Sequence, residues 1–266
     1  MKPVFKISPS LLNQFASYMR GEYGATMQTV MDYVTAPKVT SAAMSRGTAV
    51  HSILEGVEKT ANVFEPEMAV TWNFSEDAYA KISKYGDAFK DASHEIWDSL
   101  RFDIEGAGVY MRMRFDCLDG NELHEFKTTS RAKGYSDYYT SLQWRCYLEA
   151  LQDVNKVRYH ILEMPPADPA KEISKVKIYT IDYVREANNG QVLREYLNHF
   201  VQWILNEPIL YSALVVNFDA LRGQMSGIVQ AALEQKISRA QAFEQLSRIA
   251  SDLEELHPHF KTCLNQ

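Results

Sequence analysis

The sequence predicts an α/β domain followed by a helical C-terminal extension. Two observations predict it. Apolar residues recur at helical spacing before residue 100 and again after residue 184, whereas they alternate with polar residues between positions 108 and 118. Two further strand-like runs, at residues 156–163 and 173–182, lie on either side of a proline-rich loop. An order of helices, then strands with an embedded helix, then helices is typical of an α/β architecture.

Composition limits the class of protein. The 266 residues are 46% hydrophobic and 23% charged, which is ordinary for a globular chain that can bury a core. The net charge of −6 gives no sign of a nucleic-acid partner, although an acidic protein can still carry a local basic channel. No apolar run approaches the ~18–20 residues of a membrane span, and the first residues lack a signal-peptide core. We therefore expect a soluble, cytoplasmic protein without a membrane partner.

Cysteine usage points to a reducing compartment. Cys117, Cys146 and Cys263 are odd in number and widely spaced, so they cannot form a disulfide framework. They also cannot supply the four thiolates that an iron–sulfur cluster normally takes, and we expect no such cluster. The phosphate-binding pattern G-x-x-x-x-G-K-[ST] does not occur, so the sequence predicts no ATP-driven motor within this chain.

Three helices are predicted before the strands. The first opens at Ser8, a good N-cap followed by Pro9, and ends near Gly21. A polar stretch, predicted to be irregular, then runs to about residue 40. The second helix covers residues 41–59 and contains Gly47, whose presence in a helix indicates close approach by another backbone or a ligand. The third helix covers residues 75–100.

A β-hairpin is the centre of the predicted sheet. Strand 108–118 leads into a turn at Asp119 and Gly120, and strand 121–129 returns from it. A helix at 136–152, strands at 156–163 and 173–182, and a helix at 184–206 follow. A capping box at Ser238 opens the last helix, which ends near residue 256. We expect a domain over residues 1–207 and a helical extension over residues 208–266.

The hairpin carries the residues that indicate chemistry. A two-residue turn would place Asp116 opposite Leu123, with Glu125 as its diagonal neighbour and Lys127 beyond on the same face. Two adjacent carboxylates can hold a hard divalent cation, which polarises a phosphoryl oxygen and activates water. The neighbouring lysine could orient or deprotonate that water and stabilise the developing charge. The alternative is a surface strand on which Glu125 and Lys127 form a salt bridge.

Two other segments carry candidate site residues. His51 lies in a predicted helix beside Gly47, where it is either an ordinary surface or core histidine or a nitrogen ligand to the same metal. Gln143 and Tyr147 are four residues apart on a helix and therefore share a face. Tyr139 extends that face by one turn, and a packed aromatic stripe explains it equally well.

The order of these segments resembles a known family. SPSLLNQF, GTAVHSILE, RFD, EFKTT and QWRCY follow one another in an arrangement similar to the RecB-like branch of the PD-(D/E)XK nuclease superfamily. Stand-alone phage recombination exonucleases, including relatives of the RecE nuclease domain, lie near this branch. The resemblance covers residues 7–182, although Phe115 stands where the first motif of the superfamily often has proline. It implies a restriction-endonuclease-like core with a mixed central sheet flanked by helices.

The resemblance also implies the roles of individual residues. The positions that match the metal ligands of the family are His51, Asp116, Glu125 and the backbone carbonyl of Phe126. The catalytic set that it implies is Asp116, Glu125, Lys127, Gln143 and Tyr147. The metal would be Mg²⁺, with Mn²⁺ as its substitute. Three cations close to this set are candidates for phosphate contacts, with solvated surface charge as the alternative: Arg112, Arg131 and Lys133.

The resemblance implies a magnesium-dependent exonuclease that hydrolyses linear duplex DNA and leaves a 5′-phosphate. It would act in phage or bacterial recombination and repair, in the cytoplasm of a bacterial host, with a single-strand annealing protein as partner. A homo-oligomer is expected, because such exonucleases often form rings. One alternative is a structure-specific or single-strand endonuclease with the same residues. Another is a catalytically inactive module that binds nucleic acid or protein, although buried carboxylates repel phosphate unless a cation intervenes.

Overall fold

The structure is a computed structural model and describes residues 2–65 and 70–256. Cys263, one of the three cysteines considered above, lies outside these residues. Within them, no helix is both long and apolar enough to cross a membrane.

The N-terminal third is mainly helical. Its elements, in chain order, are β1 (Val4–Ile7), α1 (Pro9–Met19), α2 (Met27–Thr35), α3 (Ala42–Leu54), β2 (Asn62–Glu65), β3 (Val70–Asn73) and α4 (Glu76–Gly86), followed by a 3₁₀ turn (Asp87–Phe89). The Ser8 hydroxyl accepts a hydrogen bond from the backbone N–H of Leu11 at 3.2 Å, which confirms the predicted cap of α1.

The remainder contains the main strands and the C-terminal helices. Its elements are β4 (Ser93–Ile104), β5 (Ala107–Asp119), β6 (Glu122–Thr129), α5 (Tyr135–Tyr139), α6 (Gln143–Ala150), β7 (Lys156–Glu163), β8 (Lys177–Val184), α7 (Asn189–Asn206), α8 (Pro208–Leu214), α9 (Phe218–Leu233) and α10 (Arg239–Leu256).

The described strands form a six-stranded mixed sheet and a separate β2–β3 ribbon. Strand β5 pairs with β4 along its whole length, and its other edge pairs first with β1 in parallel and then with β6 in antiparallel orientation. Strand β7 is parallel to β6, and β8 is antiparallel to β7. Side chains that alternate along β6 and β7 divide between two cores. One core holds α1, α6 and α7, and the other holds α3 and α4.

This arrangement confirms the predicted α/β architecture, with a mixed central sheet flanked by helices and with helices at the C-terminal end. Helix α8 packs on the first core, because Leu210 and Leu214 are buried there and the backbone N–H of Val216 donates to the carbonyl of Val4 at 2.8 Å. Helix α9 packs against α10. The division between residues 1–207 and 208–266 stays a prediction.

Several predicted boundaries are wrong. The third helix ends at Gly86, and residues 93–104 form β4 because they pair with β5 and bury Phe102 and Ile104. Tertiary pairing overrides local propensity in this segment. The second helix ends at Leu54, before a glycine with φ of 69°. The polar stretch before residue 40 contains α2, and the helix predicted at 136–152 is divided into α5 and α6.

The hairpin turn lies one residue later than predicted. Asp119 pairs with Glu122, so the turn residues are Gly120 and Asn121. Gly120 has a φ of 58°, in the left-handed region that glycine tolerates without steric cost. The register is therefore shifted by two residues relative to the predicted one. An even shift keeps every side chain on its predicted face but changes which residues lie opposite each other.

Candidate functional site

The site lies where β5 and β6 separate. Their ladder ends at the pair Cys117 and His124. Beyond it the Asp116 carboxylate lies between the strands, and its Oδ2 atom accepts a hydrogen bond from the backbone N–H of Phe126 at 2.7 Å. Continuing the register places Asp116 across from Glu125, not from Leu123 as predicted. The later turn is the physical reason, and it brings the two carboxylates closer than the diagonal arrangement would.

A hydrogen-bond network connects β6 with α6. The ammonium group of Lys127 donates to Glu125 Oε1 at 2.6 Å and to Gln143 Oε1 at 2.9 Å. The Gln143 amide nitrogen donates to the same Glu125 oxygen at 3.1 Å and to the hydroxyl of Tyr147. That hydroxyl donates to the backbone carbonyl of Arg114 at 3.4 Å. The structure therefore brings Glu125, Lys127, Gln143 and Tyr147 into one cluster.

His51 reaches the same place from α3. Its Nε2 atom lies 3.9 Å from Asp116 Oδ2, and its ring meets the Phe126 ring edge-on with centroids 6.0 Å apart. Gly47 lies one turn earlier on α3 and allows the helix to approach β6, because a Cβ at that position would be 3.3 Å from Thr128 Oγ1. A close neighbour is therefore present at Gly47, but it is the side chain of Thr128, not the backbone or ligand that was predicted.

The environment of Glu125 distinguishes this cluster from a surface salt bridge. Glu125 is only 4% exposed. Its Oε1 atom accepts two hydrogen bonds, but its buried Oε2 atom has no hydrogen-bond partner among the described residues. A buried carboxylate oxygen without a partner costs free energy unless another group, such as a cation, contacts it. With Asp116 and His51 beside it, the donor set suits a hard divalent cation with oxygen and imidazole ligands.

Burial shifts the protonation of both carboxylates. It raises the pKa of Asp116 to about 6, against the opposing charge of Lys127. Burial, together with the nearby Asp116 charge, raises the pKa of Glu125 to about 7. Two like charges in a poorly solvated site disfavour full ionisation, and a divalent cation would reverse that penalty.

The pKa values of the two basic groups of the site, Lys127 and His51, are shifted in opposite directions. Burial by itself would lower the pKa of Lys127, but the charges of Glu125 and Asp116 outweigh it and raise the pKa, so the ammonium stays protonated. Burial lowers the pKa of His51, against the charges of Glu125 and Glu55 and a hydrogen bond to the Phe126 backbone. His51 is therefore neutral near pH 7, which is the form that binds metals.

A second group of possible ligands shares His51. The ligand atoms of His51, Glu55 and Glu95 all lie within 4.8 Å of one another. Glu95 faces the Asp116 position across the β4–β5 ladder and has a φ of 53°. Its carboxylate forms an ion pair with Arg114 at 2.7 Å. The sequence reasoning missed both glutamates. Glu55 could have been found from its spacing of four residues after His51, whereas Glu95 lies in a segment predicted as helix.

The three predicted substrate contacts lie in different places. Lys133 lines a cavity of about 420 Å³ together with Lys127 and Gln143. Arg112 lies on β5 with its guanidinium carbon 4.4 Å from the centre of the Trp97 ring, in another groove. Arg131 is exposed just after β6. Of the three, only Lys133 shares a cavity with Lys127 and Gln143.

Tyr139 packs among other aromatic residues, as the alternative of an aromatic stripe predicts. Its hydroxyl donates to Glu186 at 2.8 Å and accepts from Arg145, and its ring stacks on Tyr135 with centroids 5.7 Å apart. Cys117 and Cys146 are buried free thiols that belong to different cores. Burial raises the pKa of Cys117 to about 12, and it raises the pKa of Cys146 as well.

The sequence matches no family model and no curated protein. Among solved structures, the fold is similar to that of the protein named "Putative exonuclease" from Eubacterium rectale, with a TM-score of 0.44 and 15% identity over 78% of this chain and 82% of that one. It is also similar to the protein named SSO0001, with a TM-score of 0.40 and 15% identity over 74% of this chain and 75% of that one. The function is therefore inferred from the residues of the site.

Proposed function

We propose that the chain is a divalent-cation-dependent deoxyribonuclease of the PD-(D/E)XK type, and more narrowly an exonuclease acting on linear duplex DNA. The observation that carries this proposal is the buried Glu125 carboxylate beside the partly buried Asp116. Glu125 Oε2 has no described hydrogen-bond partner, whereas Glu125 Oε1 accepts from the ammonium of Lys127. An ion pair that served only stability would need one carboxylate for Lys127. A second carboxylate and an oxygen without a partner would add a free-energy cost to it.

The cation would be held by Asp116, Glu125, His51 and the backbone carbonyl of Phe126. Mg²⁺ suits the oxygen ligands, and Mn²⁺, which accepts imidazole more readily, would substitute for it. When bound, the cation neutralises the two carboxylates and polarises a phosphoryl oxygen. The second group, Glu55 and Glu95, lies close enough to His51 to contact a cation or its hydration shell.

Lys127 acts as a hydrogen-bond donor in this proposal. Its ammonium group is anchored by Glu125 and Gln143, and its side chain lines the cavity, where a further donor hydrogen can meet a phosphoryl oxygen or the attacking water. Gln143 holds both Lys127 and Glu125, so it is a positioning residue. Tyr147, one turn later on α6, accepts a hydrogen bond from the Gln143 amide and helps to position it.

The remaining features of the proposal follow from the family resemblance. The product would carry a 5′-phosphate, and the exposed single strand would be received by an annealing protein during phage or bacterial recombination and repair. A homo-oligomer is part of the same proposal. Lys133 lines the cavity and is the best placed of the predicted cations for a phosphate contact there.

The test is a nuclease assay on end-labelled linear duplex and on closed circular DNA, with Mg²⁺, with Mn²⁺ and with EDTA. We expect metal-dependent degradation of the linear substrate only, which Lys127→Ala abolishes. Lys171→Ala, which removes an exposed lysine in a surface ion pair, is the matched control and retains activity. Cutting of the circle would instead identify an endonuclease. Failure to cut either substrate, together with failure to bind Mn²⁺, would leave a catalytically inactive binding module.

A further inference from the structure

We propose that the groove beside Trp97 and Arg112 is a binding platform for single-stranded DNA next to the catalytic cluster. The proposal rests on the function proposed above and names the form of substrate that the site receives. Trp97 is 57% exposed on β4, whereas Trp72 and Trp144 are fully buried. A single exposed apolar residue needs no explanation, so the inference depends on what surrounds this indole.

Cations surround the indole ring. The guanidinium carbon of Arg112 lies 4.4 Å from the ring centre, and that of Arg114 lies 5.8 Å from it. Arg112 and Trp97 line a groove of about 420 Å³ together with Lys6 and Lys38. The described residues that line this groove include no aspartate or glutamate, although the chain as a whole has a net charge of −6. Beside the groove, Arg114 forms an ion pair with Glu95.

The groove also offers a second aromatic ring. Tyr33 lines it, with the ammonium of Lys38 5.2 Å from the ring centre. Aromatic rings interleaved with arginine and lysine are what single-stranded nucleic acid requires, because bases stack on the rings while the cations meet the phosphates. The bases of a duplex are already stacked on one another and do not expose their faces. The chemistry of this platform therefore favours a single strand over a duplex.

The platform and Asp116 lie along the same strand, β5. Arg112, Arg114 and Asp116 alternate along one side of β5, and Trp97 is the ladder partner of Arg114. Two residues of a strand span about 7 Å, so the backbone of Arg114, the ladder partner of Trp97, lies about 7 Å from that of Asp116. A strand whose phosphodiester lies at Asp116 would reach Trp97 with a neighbouring base. The platform would hold a frayed or single-stranded end in line for hydrolysis.

The binding test is made in EDTA, so that hydrolysis does not interfere. Fluorescence anisotropy of a short labelled oligothymidylate measures affinity, and quenching of the intrinsic tryptophan emission reports stacking. We expect Trp97→Ala to weaken binding by about 5- to 100-fold, the effect of losing one base–aromatic stack, and Trp97→Phe to retain most of the affinity. Tyr179→Ala, which removes another exposed aromatic residue, on β8, is the matched control and leaves binding unchanged.

A second variant tests the phosphate contacts. Arg112→Gln should reduce the slope of log affinity against log salt concentration by about 0.7, the value for one phosphate contact on a single strand. Thermal unfolding of each variant verifies that it is folded. The proposal is overturned if folded Trp97→Ala binds as the wild type does, or if a blunt duplex of the same length binds equally well and quenches equally.

The outcome is separable from that of the proposed function. Trp97-dependent binding in a protein that hydrolyses no DNA with Mg²⁺ or Mn²⁺ would keep the platform and refute the nuclease. Hydrolysis that persists at the wild-type rate in Trp97→Ala, with unchanged single-strand affinity, would keep the nuclease and refute the platform. Capture of an apolar peptide in the groove, with no affinity for the oligonucleotide, would also refute it.

Discussion

Two groups of carboxylates lie on either side of His51, and they differ in burial and in partners. The inner group consists of Asp116 and Glu125. Asp116 accepts a hydrogen bond from the backbone N–H of Phe126, and Glu125 accepts one from the ammonium of Lys127. The outer group, Glu55 and Glu95, is half-buried, and Glu95 is neutralised by Arg114. Only in the inner group does the structure show a buried carboxylate oxygen without a described partner. The primary cation site is therefore distinguished by its burial and by a carboxylate oxygen without a described partner, and not by the number of its carboxylates.

The largest expected effect is that of neutralising Glu125. Glu125→Gln keeps the shape of the side chain but removes the charge that balances both Lys127 and a cation. We expect hydrolysis of linear duplex DNA to fall by about 10²–10³-fold, the usual loss when one preorganised electrostatic group is removed. Glu95→Gln, in the outer group, should lower the rate by less than about 10-fold, and equal losses in the two variants would contradict the distinction between the groups.

The second effect is a dependence of stability on pH. The pKa of Glu125 is about 7 in the folded protein and about 4.5 when the chain is unfolded. Between these values the folded state binds more protons than the unfolded state, so stability falls as the pH rises. The stabilisation is fully present below pH 4.5 and is lost as the pH rises through about 7. Asp116, with a pKa raised to about 6, acts in the same direction.

Urea unfolding in EDTA, at a series of pH values, measures this effect as the difference between the wild type and Glu125→Gln. Groups distant from Glu125 titrate equally in both proteins, so the difference reports Glu125 together with the neighbours whose pKa values depend on its charge, Lys127 and His51. We expect the wild type to lose about 3 kcal/mol relative to the variant across this pH range, by the linkage between pKa and stability. Added Mn²⁺ should restore that stability above pH 7 in the wild type only. A difference that does not change with pH would mean that Glu125 is ionised throughout.

The third effect concerns metal affinity. Calorimetric titration with Mn²⁺ should give one tight site in the wild type. We expect Glu125→Gln to weaken it by at least about 10-fold, since even residues that only support a ligand contribute 10- to 100-fold. His51→Ala should weaken Mn²⁺ binding by a similar factor, because the His51 imidazole lies beside both groups of carboxylates. Glu55→Gln should change the affinity by less than about 3-fold, and a larger loss than that of Glu125→Gln would move the primary site to the outer group.

The sequence predicts the inner group because its residues are close together along the chain. Asp116, Glu125 and Lys127 belong to one hairpin, so alternation and a short turn bring them to one face even when the turn is misplaced by one residue. Gln143 and Tyr147 follow from helical spacing. The placement of His51 beside Asp116 is long-range. The residues alone left its role open between an ordinary histidine and a metal ligand, and the family resemblance implied the second.

The outer group could not be predicted, for a physical reason. Glu95 reaches His51 only because β4 pairs with β5, and its segment carries no local signal strong enough to exclude a helix. The Trp97 platform depends on the same pairing. Contacts made by a strand with a partner distant in sequence are set by tertiary packing, whereas those within a hairpin are set by local pattern.

The smallest effect tests what holds the outer group in place. Glu95 adopts a φ of 53°, a left-handed conformation that costs a residue other than glycine about 1–2 kcal/mol. Glu95→Gly and Glu95→Ala both remove the carboxylate and its ion pair with Arg114, but only glycine relieves the backbone. We expect Glu95→Gly to be more stable than Glu95→Ala by about 1 kcal/mol in urea unfolding, with equal Mn²⁺ affinity in the two variants. Equal stability would mean that the backbone at this position is not strained. The left-handed conformation of Glu95 would then cost no free energy. The ion pair with Arg114 would not be needed to hold the Glu95 side chain near His51.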